Sequence, residues 1–178
     1  YELTKASFPG VKIHRSEDLQ KISYWENKTK PDFWSYSFSL PARLEIFTAI
    51  ESRGYLQAPD ELVSHAREKI NRNNPQNLPV YGITWHGDQK STAMRTRAYS
   101  LAEFLNASEI LNTPCLVVNL QKDATEDEIA ELKNRTQSAG CVFLNAQEDL
   151  SNFAHTAAWI KNLNQLFSCD TSVAHLGG

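Results

Sequence analysis

Along the second half of this chain, short apolar runs alternate with segments whose apolar residues recur at helical spacing. Val80 to Trp85 (VYGITW) is a β-branched and aromatic run, which predicts a strand. Ser100 with Glu103 three residues on makes a capping box. Leu101, Phe104, Leu105, Ile110 and Leu111 supply the apolar side of the helix it opens. Cys115 to Leu120 (CLVVNL) is nearly continuous in apolar residues, as expected of a strand buried on both faces. Thr125 and Glu128 form a second capping box, Ile129 and Leu132 mark that helix's inner face, and Gly140 ends it. Cys141 to Leu144 (CVFL), a helix from Phe153 to about Leu163, and Leu166 to Cys169 (LFSC) complete the series, with a loop opening at Asp170. The order β-α-β-α-β-α-β predicts an α/β fold built on a doubly wound parallel sheet.

The first half is less regular. Pro59-Asp60-Glu61 opens a helix running to about Ile70, with Leu62, Ala66 and Ile70 on one face and two acidic residues at its positive end. Asn71 to Pro79 (NRNNPQNLP) is rich in Asn and Pro and reads as a linker. Further upstream, Val11 to His14 reads as a short strand and residues 42–51 (ARLEIFTAIE) as a helix. Trp25 to Pro41 shows no clear period. Too few strand–helix units precede the linker for a whole domain. The expected division is 1–70, the end of an N-terminal α/β domain; 71–79, the linker; and 80–178, the first part of a second domain. A parallel sheet lacking its next strand leaves an apolar edge, so self-association is expected.

Composition narrows the partners. The 178 residues include four Trp, six Tyr and eight Phe, enough large apolar surface for a real core, which excludes disorder. Eighteen basic against twenty-one acidic residues give a formal charge of −3. No basic stripe is present, so nucleic acid is not an expected partner. No apolar run reaches the roughly 20 residues that cross a bilayer. The chain opens Tyr1-Glu2-Leu3-Thr4 with no Met and no leader-like segment, and reads as internal to a longer product. Cys115, Cys141 and Cys169 form no CxxC and sit in or beside apolar runs. Buried thiols in a reducing, cytoplasmic setting are the expectation. His14, His65 and His155 lack helix-face ligand spacing, so no metal is expected. The sequons at Asn27, Asn106 and Asn134 read as chance matches.

Ligands of doubly wound sheets bind beyond the carboxyl ends of the strands. After the first strand come Trp85-His86-Gly87-Asp88 and a polar stretch to Arg97. There Gly87 permits close backbone approach, and His86, Lys90, Arg95 and Arg97 can meet an anion. On spacing alone a plain solvated loop with a cap residue is the favoured reading, since a single Gly is a weak signal. Gln121 suits either a hydrogen bond to a base or sugar or an ordinary strand-to-helix turn. After the last strand, Asp170, Thr171 and Ser172 offer caps and hydroxyls at a helix start, where N–H groups favour phosphate. His175 lies one turn along. Asp170 as a simple N-cap and His175 as an ordinary helix residue are the alternatives.

These segments also carry a resemblance. DTSVAHLGG (170–178) resembles the D-T-x-x-A-H-L-A-G signature of the heptosyltransferase-like nucleotide-sugar domain, glycosyltransferase family nine. It looks closest to the version at the C-terminal end of bacterial tetratricopeptide-repeat glycosyltransferases. VYGITWHGD (80–88) is similar to the family's V-G-L-x-W-x-G-N, VVNLQKD (117–123) to its V-x-L-Q-K, and HTAAWIKNLNQLFSCDTS (155–172) to its D-T-A-A-L-I-x-x-L-D-L-V-I-x-V-D-T. DFWSYSFSLPARL (32–44) resembles the element closing the preceding domain.

The resemblance implies the GT-B architecture, two Rossmann-like domains facing across a cleft, with this chain a fragment of it. It implies metal-independent transfer of a sugar from a nucleotide-sugar donor to a glycan, lipid or protein acceptor, with no cofactor besides the donor. Asp170, Thr171 and Ser172 with His175 then cradle the diphosphate. Trp85, His86, Gly87 and Arg97 line the same pocket, Gln121 lies near the nucleotide, and the catalytic base lies outside the chain. His155, Asp88 and Gln165 replace the family's Asp, Asn and Asp. These departures favour the alternative, a degenerate domain acting as a binding module.

Overall fold

The structure is a computed structural model and describes residues 1–13, 40–45, 54–87 and 99–178. Four strands, β1 (Val80–Thr84), β2 (Leu116–Asn119), β3 (Val142–Asn145) and β4 (Gln165–Ser168), form one sheet in the order β3-β2-β1-β4. Every pairing is parallel, with Val80 beside Leu116, Leu116 beside Val142, and Tyr81 beside Gln165. The chain steps outward from β1 to β3 and then returns to lay β4 on the other side of β1. This is the Rossmann-like doubly wound plan expected from the alternation, and it creates a switch point between β1 and β4.

Strand periodicity divides the core in two. Ile83, Trp85, Cys115, Val117 and Cys141 face one side, under α4 (Leu101–Ser108) and α5 (Glu126–Ser138). Val80, Leu116, Val118 and Leu120 face the other, against α3 (Asp60–Asn73) and α6 (Phe153–Ile160). Both capping boxes form as expected: Ser100 and Glu103 open α4, and Thr125 and Glu128 open α5. Gly140 follows α5 at φ 73°, a left-handed conformation that costs glycine little.

Some boundaries differ from the sequence reading. The long helix after Asn152 stops at Ile160 rather than near Leu163. Asn162 is the reason: its side-chain amide donates to the carbonyls of Ala158 and Val63, ending the helix and tying it to α3. In α3 the buried stripe is Val63, Ala66 and Ile70, and Leu62 is only half-buried at its flank. The strands β3 and β4 each lie one residue from their expected places. Val11 to Ile13 are not a strand, and His14 lies outside the described residues, as does most of the 25–41 segment. Of the expected 42–51 helix, Ala42 and Arg43 end a single helical turn, α2 (Leu40–Arg43), Leu44 and Glu45 follow it as a turn, and residues 46–51 lie outside the described residues.

The helix α3, ahead of the Asn-rich segment, shares its core with the sheet. Ala66 and Ile70 pack with Val80, Leu116 and Trp159, and Lys69 pairs with Asp149 at 2.7 Å. A first short helix, α1 (Glu2–Ser7), rests on α6 and is joined to it by Asn152 donating to Glu2 at 2.9 Å. After β4 the chain turns into α7 (Ser172–Gly177), which lies against β4 and α6. No helix among the described residues is long and apolar enough to cross a membrane.

Gly82, at the centre of β1, sets how closely α6's following turn approaches the sheet. A Cβ there would run into Leu163 and come within 2.9 Å of a Leu120 methyl. Gly82→Ala is therefore expected to destabilise the fold by about 1–3 kcal/mol through overpacking. Chemical denaturation should show a smaller loss when the same change is made beside Leu163→Ala.

Candidate functional site

At the switch point the carboxyl ends of β1 and β4 stand side by side. The space beyond them is a cavity of about 590 Å³. His86 and Gly87 from the β1 end, Gln121 to Asp123 from the β2 end, and Thr171 to Val173 from the β4 end line it. Leu150, Phe153 and Thr156, around the start of α6, close its apolar side. A neighbouring groove of about 350 Å³ runs between α1 and α6 and shares Lys122, Leu150, Phe153 and Thr156 with it.

Gln121 holds this end of the sheet together. Its Oε1 accepts hydrogen bonds from Thr84 Oγ1 at 2.8 Å, the Trp85 amide at 3.1 Å and the His86 amide at 3.2 Å. Its Nε2 donates to Asp123 at 2.6 Å, and its own amide donates to Asn119 Oδ1 at 2.9 Å. At 4% exposure, this carboxamide fixes the path of the chain as it leaves β1. The position expected from sequence is thus at the site, and the contacts it makes there are to the protein backbone and its neighbours.

His86 is also buried, at 3% exposure. Its Nδ1 lies 2.8 Å from the Gly87 carbonyl, to which it donates when it carries the proton, and 3.2 Å from Gln121 Nε2, from which it accepts when it does not. Its Nε2 is buried with no hydrogen-bond partner among the described residues. Two carboxylates flank the ring, Asp123 3.9 Å from Nδ1 and Glu128 3.9 Å from Nε2.

Trp85 turns the other way. It is fully buried on the α4–α5 face, and its indole N–H donates to Glu128 at 3.0 Å, so it supports the loop from beneath and does not line the cavity. Alternation along β1 carries this signal: Trp85 shares the parity of Tyr81 and Ile83.

On the β4 side, Thr171 is the N-cap of α7 and Ser172 its first residue, and both line the cavity. Asp170 precedes the cap position. The first amide drawn into the turn is that of Ala174, which bonds Thr171 O at 3.0 Å. The amides of Ser172 and Val173 have no hydrogen-bond partner among the described residues. His175 lies outside the cavity, its side chain 82% exposed and 3.9 Å from Asp170. Arg97, with Asp88, Lys90 and Arg95, lies outside the described residues. Among the described residues no group of three His, Cys, Asp or Glu converges on one point.

No family model, curated protein or solved structure matches this chain.

The sequence reading did not single out Thr84, Thr156, Lys122, Asp123, Leu150 or Phe153. Thr84, Lys122 and Asp123 lie at or just past the carboxyl ends of β1 and β2, where the strand pattern alone points, whereas the place of Leu150, Phe153 and Thr156 follows from the return of the chain through α6, a tertiary event. Phe153 is 53% exposed, an aromatic ring presented to solvent at the junction of both spaces. Lys122 reaches the carbonyl of Ser151 at 3.3 Å and brings a positive charge to the mouth. Cys169, just after β4, has its thiol pushed up by burial, more than its hydrogen bonds pull it down.

Glu128 joins the site to α5. Burial pushes its carboxyl up, but the Thr125 amide, the Trp85 indole, the Thr125 hydroxyl and the nearby imidazole together hold it below the ordinary value. A carboxyl depressed in the folded state contributes stability above its unfolded value, about pH 4.3, and loses it as pH falls through the folded one. Glu128→Gln should therefore lower stability at neutral pH and converge with the unsubstituted protein in acid, flattening the acid limb of a stability–pH curve. Gln121→Leu leaves the three donors to its oxygen unsatisfied, and should cost at least about 2 kcal/mol in denaturant melts.

Proposed function

We propose that this chain carries the donor side of a metal-independent glycosyltransferase, which moves a sugar from a nucleoside diphosphate sugar to a glycan, lipid or protein acceptor. The observation that carries the reading is the cavity at the β1–β4 switch point, lined by hydroxyl and amide donors from the segments that resemble family nine glycosyltransferases. On this reading the diphosphate lies against Thr171, Ser172 and the amides of Ser172 and Val173. Lys122 stands at the mouth as the nearby cation. A helix of six residues has a weak dipole, so the hydroxyls and amides supply most of the attraction.

The chemistry is displacement at the anomeric carbon. The bond from that carbon to the diphosphate oxygen breaks as a bond to an acceptor hydroxyl oxygen forms, and the hydroxyl proton passes to a base. The leaving diphosphate takes the electron pair, and donors already aimed at it stabilise the charge without reorganising. The setting proposed is a bacterial cytoplasm. One feature favours a second reading, a binding module without turnover: Asp123 presents a half-exposed carboxylate to the same cavity, opposing an anion.

Calorimetric titration with UDP, GDP, ADP and CMP separates the two readings. Saturable binding of one nucleoside diphosphate is expected, weakened roughly 10-fold or more by Thr171→Val through loss of a hydrogen bond to a charged group. His175→Ala, outside the cavity, should leave affinity unchanged. A folded protein that binds none of them overturns the donor reading in favour of the module.

A further inference from the structure

At the amino ends of β2 and β3 two thiols touch. The sulfurs of Cys115 and Cys141 lie 3.6 Å apart. The residues that follow them, Leu116 and Val142, are register partners, and the Val142 amide donates to the Cys115 carbonyl at 2.9 Å. The two cysteines are therefore lateral neighbours in a parallel ladder, and both side chains enter the core beneath α4 and α5. Neighbouring strands stand about 4.8 Å apart, inside the Cα span of roughly 4.4–6.8 Å that a disulfide bridges. Side-chain rotation is then what brings the sulfurs together, with the strands staying paired.

We propose that Cys115 and Cys141 are a latent dithiol that closes to an intramolecular disulfide when a low-molecular-weight disulfide oxidant reaches Cys141. The pair is asymmetric: Cys115 is 0% exposed and Cys141 6%, on an edge strand just after the Gly140 turn. Cys141 gives up its proton and attacks one sulfur of the oxidant. This forms a mixed disulfide and releases one small thiol, which carries that proton. Cys115 then loses its proton to solvent and attacks the Cys141 sulfur, and the second small thiol leaves. Two protein thiols lose two electrons and two protons, and one oxidant disulfide becomes two thiols.

Burial and the neighbouring Cys141 push the Cys115 thiol up to about 12, so the second step is slow, while the product is shielded from reductant. Cys169 sits at the carboxyl end of β4, across the sheet from both, and stays reduced. The cross-link closes at the end of the sheet opposite the cavity, and does not depend on what the cavity binds.

The test is prolonged incubation of the folded protein with 2-hydroxyethyl disulfide at mildly alkaline pH, followed by intact mass and peptide mapping. The expected result is loss of two hydrogens, mapped to a Cys115–Cys141 linkage, with a melting midpoint several degrees higher. Cys169→Ser should react in the same way, and Cys115→Ser should stop at a mixed disulfide on Cys141. A persistent mixed disulfide in the unsubstituted protein, a linkage through Cys169, or an unchanged mass while circular dichroism reports the native fold would each overturn the proposal. If Cys115→Ser fails to fold, Cys115→Ala serves in its place.

Discussion

The carboxyl end of this sheet depends on a single amide oxygen. Where β1 ends, Thr84, Trp85 and His86 point three donors towards the interior, and Gln121 Oε1 accepts all of them. A buried donor without an acceptor costs about 1–3 kcal/mol, so this convergence makes the sharp exit from β1 affordable. The exit in turn places Gly87 on the cavity wall and sends Trp85 into the opposite core layer. Gln121 is itself oriented by Asn119 and Asp123, so the β2 end positions the β1 end.

The second constraint is packing on the α6 side. Gly82 leaves no side chain in the middle of β1, and Leu163 fills that place. The turn carrying Leu163 ends at Asn164, whose side chain accepts from the Val80 amide at 2.8 Å and whose amide returns a bond to the Val80 carbonyl at 2.8 Å. The start of β4 is thus locked to the start of β1, and the distance between their far ends follows from the register. The width of the cavity is inherited from contacts at the other end of the strands.

Features set by neighbours in sequence were legible from sequence. The two capping boxes need residues three apart, and both form; the apolar CLVVNL run needs only its own composition, and it is a central strand. The parallel pairing of the strands followed from the β-α alternation, whereas their order in the sheet, with β4 returning beside β1, is a tertiary outcome. The end of α6 was not legible, because Asn162 is satisfied partly by the Val63 carbonyl on a distant helix. The part Gln121 plays was hidden for the same reason, since its donors lie on another strand. Trp85 was legible in principle: period-two alternation puts it with Ile83, facing the core, and not with the cavity that the resemblance of its loop implies.

Charge at the cavity follows from the same network. Asp123 is held at 2.6 Å by the Gln121 amide and lies 3.9 Å from His86, so part of its charge is directed into the protein. Lys122, one residue earlier, lines the same cavity and donates to the Ser151 carbonyl. Adjacent residues of opposite charge therefore play unequal parts: one is tied to buried donors, and the other stands at the mouth. The Ser172 and Val173 amides add donors on the facing wall, while Asp123 keeps a half-exposed carboxylate at the same cavity. Local hydrogen bonding, rather than the net charge of −3, sets how these groups are arranged there.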